Sequence, residues 1–105
     1  MAARAWWVYL VRCADGSLYA GIATNVARRL EAHRRGRGAK YLRGKGRLDL
    51  VLKRRVGEKG LALSVELRIK RLPKAEKEAL LSHRTRLGRL VAELRRERRQ
   101  QRNSN

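Results

Sequence analysis

Two apolar runs joined by Asp-Gly constrain this chain more than any other feature. Trp6 to Val11 is an unbroken run of aromatic, aliphatic and β-branched residues, the pattern of a strand buried on both faces. "ADGS" follows at Ala14–Ser17, and Leu18–Ile22 is apolar again. Asp-Gly between two such runs is the strongest short-range hairpin signal, because glycine accepts the positive φ that a tight turn needs. The domain therefore opens with a hairpin.

A helix should follow. Thr24 or Asn25 can accept a hydrogen bond from a free backbone N–H and so cap it. Val26, Leu30 and His33 would form its buried stripe, with Arg29 and His33 sharing an edge four residues apart. "GRGAKYLRGKGR", Gly36–Arg47, has four glycines and reads as a cationic loop. "LDLVLKRRV" predicts a third strand with Leu48, Leu50 and Leu52 on one face. "LALSVELRIK" is ambiguous. Its apolar residues alternate as in an exposed-face strand, yet Ala62, Val65, Ile69 and Leu72 fit a helical stripe equally well. Pro73 suits the first turn of a helix through "KAEKEALL", and Leu87, Leu90, Val91 and Leu94 mark a final helix over Arg86–Arg99. Gly88 weakens that helix by about 1 kcal/mol relative to alanine. The apolar-free "RRERRQQRNSN" is expected to fray. The division expected is a folded domain over 1–82 and a basic helix with a frayed tail over 83–105.

Charge narrows the partner. Against 28 Lys+Arg stand 9 Asp+Glu, a net charge of 28 − 9 = +19. Such an excess opposes compaction and favours polyanions, nucleic acid first, because each neutralised phosphate releases counterions. The lone Cys13 excludes an internal disulfide and reads as a small hydrophobe. No Cys/His spacing suits zinc, and neither a signal peptide nor a membrane span is recognisable. A cytoplasmic protein is expected.

Tyr9, Tyr19 and Arg29 are spaced evenly, ten apart. Taken singly, the tyrosines read as strand aromatics packing a core, Arg29 as a solvated helix residue and Glu66 as a surface carboxylate. Together, "VYL" at Val8–Leu10, "YAG" at Tyr19–Gly21, Arg29 with Leu30 behind it, His33, and Glu66 in "ELRIKRLP" resemble the GIY-YIG nuclease superfamily. "RCADGSLYAGIATNVARRLEAH", "GRGAKY" and "ELRIKRLPKAEKEAL" are similar to its small single-domain bacterial members. The resemblance spans roughly Trp6 to Leu81. It departs from the superfamily pattern at Val8, where the first glycine is replaced, at Ile22, where the repair nucleases carry lysine, and near Pro73, where no asparagine follows the glutamate helix.

This resemblance implies an α+β fold: a small three-stranded, mainly antiparallel sheet flanked by helices, in the order ββαβαα plus a C-terminal helix. It makes the ambiguous stretch a helix. It also implies a metal-dependent endonuclease-like domain that hydrolyses phosphodiester bonds in structured or single-stranded DNA, in a repair or recombination setting. Tyr9, Tyr19, Arg29, His33 and Glu66 would gather around one polar hollow. Glu66 would be the metal ligand, holding one Mg²⁺, with Mn²⁺ able to substitute. Arg29 would present its fork of donors to the scissile phosphate. Tyr9 would be the general base; an ordinary phenol is only about 0.1% ionised at pH 7, so a nearby cation must lower its pKa. Tyr19 and His33 would orient water or phosphate, or share the proton transfer.

Arg28, Lys40, Tyr41, Arg43 and Lys45 are the expected nucleic-acid contacts, Tyr41 as a stacking ring or, equally, as a loop ring covering the core. The expected partner is nucleic acid, DNA ahead of RNA, with no membrane and no small-molecule cofactor. Two rival readings are a noncatalytic basic nucleic-acid-binding module and a basic adaptor for an acidic protein or membrane surface.

Overall fold

The computed structural model describes residues 4–104. Its elements are β1 (Trp6–Cys13), β2 (Leu18–Ala23), α1 (Val26–Arg34), a 3₁₀ turn (Lys40–Leu42), β3 (Leu48–Gly57), α2 (Lys59–Lys70), α3 (Lys74–Ser82) and α4 (Arg84–Asn103). The fold is α+β, as the sequence predicts. The sheet order is β2-β1-β3, and both strand pairs are antiparallel. The central place of β1 explains its unbroken apolar run, since Val8 to Val11 are buried on both faces.

The hairpin forms where Asp-Gly stands. Gly16 alone in the turn has positive φ, at 87°, and its N–H donates to the Cys13 carbonyl at 2.9 Å. The Asp15 carboxylate accepts from the Ser17 N–H at 3.0 Å and hydroxyl at 2.6 Å, a local bond that fixes the turn.

Two cores sit on opposite faces of the sheet. On one face Val8, Leu10 and Ala20 pack with Leu61, Ala62, Val65 and Ile69 of α2, Leu80 of α3, and Leu87, Val91 and Leu94 of α4. On the other, Tyr9, Val11, Cys13 and Ala23 pack with Val26 and Leu30 of α1, Leu42 and Leu48. Trp6 leans on the first core and Trp7 on the second. The ambiguous segment is helical: Ala62, Val65 and Ile69 are fully buried while Leu63 and Leu67 are 45% and 49% exposed. An alternating strand would have put all five of its odd-numbered apolar residues on one face.

Two expectations are corrected. The register of β3 slips between Leu10 and Val11, which pair with Leu52 and Leu50. The extra residue, Val51, is a bulge, so Leu52 joins the first core while Leu48 and Leu50 stay with the second. The arginine-rich segment expected to fray is helical to Asn103. Side chains, not apolar packing, tie it down: Arg95 donates to the Val56 carbonyl at 3.0 Å and Arg102 to the Glu58 carboxylate at 2.7 Å. Among the described residues no helix is long and apolar enough to cross a membrane.

A forked ion pair joins the hairpin to α3. Arg12 donates to both Glu78 oxygens, at 2.5 and 2.7 Å, and the guanidinium holds the Glu78 carboxyl below its ordinary range. Both side chains are about one-third exposed (31% and 35%), so solvent screens the pair. Glu78→Gln is expected to cost about 0.5–1 kcal/mol at pH 7. Because the folded pKa is depressed, that contribution is present above the unfolded value of about 4.3 and is lost as pH falls through the folded one. Urea unfolding of both proteins at pH 7 and at pH 3 checks it; the gap should narrow at the lower pH.

Candidate active site

The site begins with a glycine. Tyr9 faces Gly21 across the β1–β2 ladder, and its ring lies over that residue. A β-carbon on Gly21 would stand 2.3 Å from the Tyr9 Oη and 2.4 Å from its Cζ. The missing side chain is therefore the space Tyr9 occupies. The ring is 2% exposed, and its Oη lies 2.8 Å from His33 Nε2.

His33 is delivered by α1. The Asn25 side chain caps that helix by accepting from the Arg28 N–H at 3.0 Å, and Val26, Leu30 and His33 form the buried stripe. The helix ends in a Schellman motif: the Gly36 N–H donates to the His33 carbonyl and the Arg37 N–H to the Ala32 carbonyl, with Gly36 at φ 75°. The chain then doubles back, and the Ala39 N–H donates to His33 Nδ1 at 3.1 Å. A β-carbon on Gly38 would lie 1.9 Å from that nitrogen.

These bonds fix the imidazole. A backbone N–H can only donate, so Nδ1 carries no proton, and Nε2–H must donate to the Tyr9 oxygen. His33 is neutral, in keeping with a pKa lowered by burial and then by the charge of Arg29. Both of its nitrogens are taken, so it acts on Tyr9 rather than on solvent.

The remaining residues surround this pair. The Tyr19 ring meets His33 edge-on at 5.8 Å between centroids and stacks on Tyr41 at 5.9 Å, 16° from parallel. Glu66, half-buried on α2, has Lys70 Nζ 3.8 Å from its carboxylate, and that ammonium lies 5.7 Å from the Tyr19 ring centroid. The charges of Arg29 and Glu66 both bear on Tyr9 and on Tyr19. All five residues are thus together, in layers: Tyr9 and His33 buried, Tyr19 and Glu66 half-buried, Arg29 exposed.

Two cavities flank the cluster. One, of about 370 Å³, is lined by Tyr19, Tyr41, Lys70 and Lys77 over an aliphatic floor. The other, of about 490 Å³, is lined by Arg28, Arg29, Lys59, Trp6 and Asn25 among others. Tyr9, His33 and Glu66 line neither.

The electrostatics correct one expectation. Burial pushes the Tyr9 phenol up to about 12, with the Tyr19 phenol adding to the rise and Arg29 opposing it by hydrogen bond and charge. Tyr19 is raised by burial and then by Glu66. Arg29 alone does not overcome desolvation.

The nucleic-acid candidates divide. Arg28 lines the larger cavity, and Lys40 and Tyr41 are exposed. Arg43 Nε instead donates to the Gly36 carbonyl at 3.0 Å. Lys45 pairs with Asp15 at 3.1 Å and stands 4.5 Å from the Tyr41 ring centroid, which commits it to the loop. The sequence reading missed Gly38, Lys70 and Lys77. The only signal for Gly38 was its place five residues after His33, and Lys70 lay one turn beyond Glu66.

Among the described residues no three His, Cys, Asp or Glu side chains form a metal cluster. The donor set still suits a hard ion such as Mg²⁺, which is commonly bound by one or two carboxylates, retained waters and substrate phosphate. Glu66, with Lys70 3.8 Å away, would supply that carboxylate.

Residues 5–79 match the GIY-YIG catalytic domain, a span that contains all five residues. The chain belongs to the GIY-YIG family. Among its relatives, a UPF0213 protein of Citrobacter koseri is 56% identical over 77 residues, 73% of this chain and 77% of that one. The UPF0213 protein YhbQ of Salmonella typhimurium is 49% identical over 89 residues, 85% of this chain and 89% of that one. The solution NMR structure of the UPF0213 protein BH0048 from Bacillus halodurans is similar in fold, with a TM-score of 0.50 at 41% identity. That likeness covers 74% of this chain and 83% of the other.

Proposed function

We propose that this GIY-YIG domain is a metal-dependent endonuclease that hydrolyses phosphodiester bonds in DNA, in structured or single-stranded forms, within repair or recombination. The observation that carries the reading is the convergence of Arg29 and Glu66 on the same two phenols, one of them hydrogen-bonded to His33. The chain as a whole carries a net charge of +19, which favours a polyanionic substrate.

Arg29, exposed at the mouth of the cluster, meets the scissile phosphate with a planar fork of donors and offsets the charge that grows there. Tyr9 takes the proton of the attacking water. His33 Nε2–H and Arg29 both favour its ionised form, against the burial that opposes it. Tyr19 steers phosphate or water from the half-exposed layer. Glu66 would hold a divalent ion, Mg²⁺ or Mn²⁺, which would offset charge at the phosphate and on the leaving oxygen.

Nicking of supercoiled plasmid and of branched DNA in Mg²⁺ tests this. Tyr9→Phe, Arg29→Ala and Glu66→Ala are each expected to slow it by about 10²-fold or more while melting cooperatively like the unaltered protein. If all three cut at the wild-type rate, the assignment is wrong. A second reading, a noncatalytic nucleic-acid-binding module, draws on the raised Tyr9 pKa. It expects binding that weakens steeply with salt and no cleavage with any divalent ion.

A further inference from the structure

The cavity of about 370 Å³ beside the cluster has a composition that the hydrolytic residues do not account for. Its floor is aliphatic, formed by Leu10, Leu18, Ala20 and Ile69, and its walls are the stacked pair Tyr19 and Tyr41. Lys70 from α2 and Lys77 from α3 stand at the rim, and Lys45 Nζ lies 4.5 Å from the Tyr41 ring centroid. Tyr41 is 51% exposed although it is large and apolar in its body. Its plane is set by Tyr19, so little ordering is left to be done on binding. Its volume falls at the low end for small-ligand sites.

A flat apolar ring with an anion attached is the ligand such walls and rim accommodate. We infer that this cavity receives one unstacked nucleotide of the bound strand, its base against the Tyr19–Tyr41 pair and its phosphate near Lys70 and Lys77. Two residues place it next to the cut phosphate. Tyr19 belongs to both the cavity and the cluster, and Lys70 reaches from the cavity to within 3.8 Å of the Glu66 carboxylate. The inference rests on the nuclease reading for what happens next door, and adds a preference for nucleotides outside a continuous stack. A nucleotide held in a duplex cannot turn its base into the cavity without first unpairing and unstacking.

The test is binding without divalent metal, so that nothing is cut. Fluorescence anisotropy with EDTA compares a short labelled single strand with a blunt duplex of equal length. Tyr41→Ala is expected to weaken single-strand binding on the order of tenfold, Lys77→Ala less so, with duplex affinity changed by under about twofold. Methyl NMR shifts of Leu18, Ala20 and Ile69 should move on addition of the single strand. A free mononucleotide should compete poorly, because the strand supplies the other phosphate contacts.

Equal losses on both DNA forms, or none, overturn the inference, as does methyl perturbation absent from these three residues. Strong competition by the mononucleotide overturns the strand reading in favour of a free-nucleotide site. The two proposals fail separately. If Tyr41→Ala discriminates but no protein cleaves, only the nuclease reading falls. If cleavage is robust but Tyr41→Ala discriminates nothing, only the subsite does.

Discussion

Gly21→Ala is expected to lower the free energy of unfolding by about 2–3 kcal/mol and to abolish DNA cleavage. A β-carbon at that position would lie 2.3–2.4 Å from the hydroxyl and adjoining carbon of Tyr9. The ring has nowhere to go. It is 2% exposed, it belongs to the core under α1, and its hydroxyl is held by His33. Forced overpacking of a closed core costs about 1–3 kcal/mol, and loss of the hydrogen bond to a buried imidazole adds to it. Chemical denaturation gives the stability and plasmid nicking the activity.

Gly88→Ala is the control. Its new β-carbon would meet only the far end of the Arg54 side chain, at 3.0 Å, which can swing aside. Removing a glycine from the interior of α4 should then gain up to about 1 kcal/mol. An unchanged Gly21→Ala protein would mean that Tyr9 does not lie over that strand.

The second large effect is in the pH profile. With the Tyr9 phenol pushed up to about 12, the ionised fraction grows tenfold per pH unit throughout the neutral range. If Tyr9 is the base, the cleavage rate should rise about tenfold per unit from pH 6.5 to 9 without a plateau. In Tyr9→Phe that slope should vanish along with most of the rate. A wild-type plateau between pH 7 and 8 would assign the proton to another group.

Stability should follow a different curve at the acid end. His33 has a folded pKa below its ordinary value, so the unfolded chain takes up a proton first as pH falls. The contribution is whole above about pH 6.5 and is lost progressively below it, down to the folded value. Protonation at Nδ1 would also set N–H against the Ala39 N–H. The melting temperature, followed from pH 7.5 to 5, should fall, and His33→Gln should flatten that part of the curve.

The parts of the fold that local chemistry decides were readable from the chain. The Asp-Gly turn, a helix cap at Thr24 or Asn25, which the structure places at Asn25, and the stripe of Val26, Leu30 and His33 each need only neighbours a few residues away. The β3 bulge was not readable, because "LDLVLKRRV" alternates well enough to read as one regular strand. The slip assigns Leu52 to one core and Leu48 and Leu50 to the other. Helical order to Asn103 was hidden too, since it depends on Arg95 and Arg102 reaching residues about forty positions earlier.

At the site, the register of Tyr9, Tyr19, Arg29, His33 and Glu66 pointed to one place. Their layering did not follow from it: spacing says which side chains meet, not which of them end up under the others. The rise in the Tyr9 pKa is a product of that depth. Gly38 was illegible for a related reason, because a clearance is defined by what fills it.

The flank of β3 opposite β1 has a consequence of its own. At ten residues it is long for a boundary strand, and side chains occupy carbonyls at its two ends, Arg34 at Leu48 and Arg95 at Val56. Its bulge, together with the exposed Lys53, Arg54 and Arg55, discourages a neighbour from adding itself there, by geometry and by repulsion. Aggregation is therefore held off largely by cations. Polyphosphate or excess nucleic acid at low ionic strength should screen that defence and cloud the solution, and added salt should clear it.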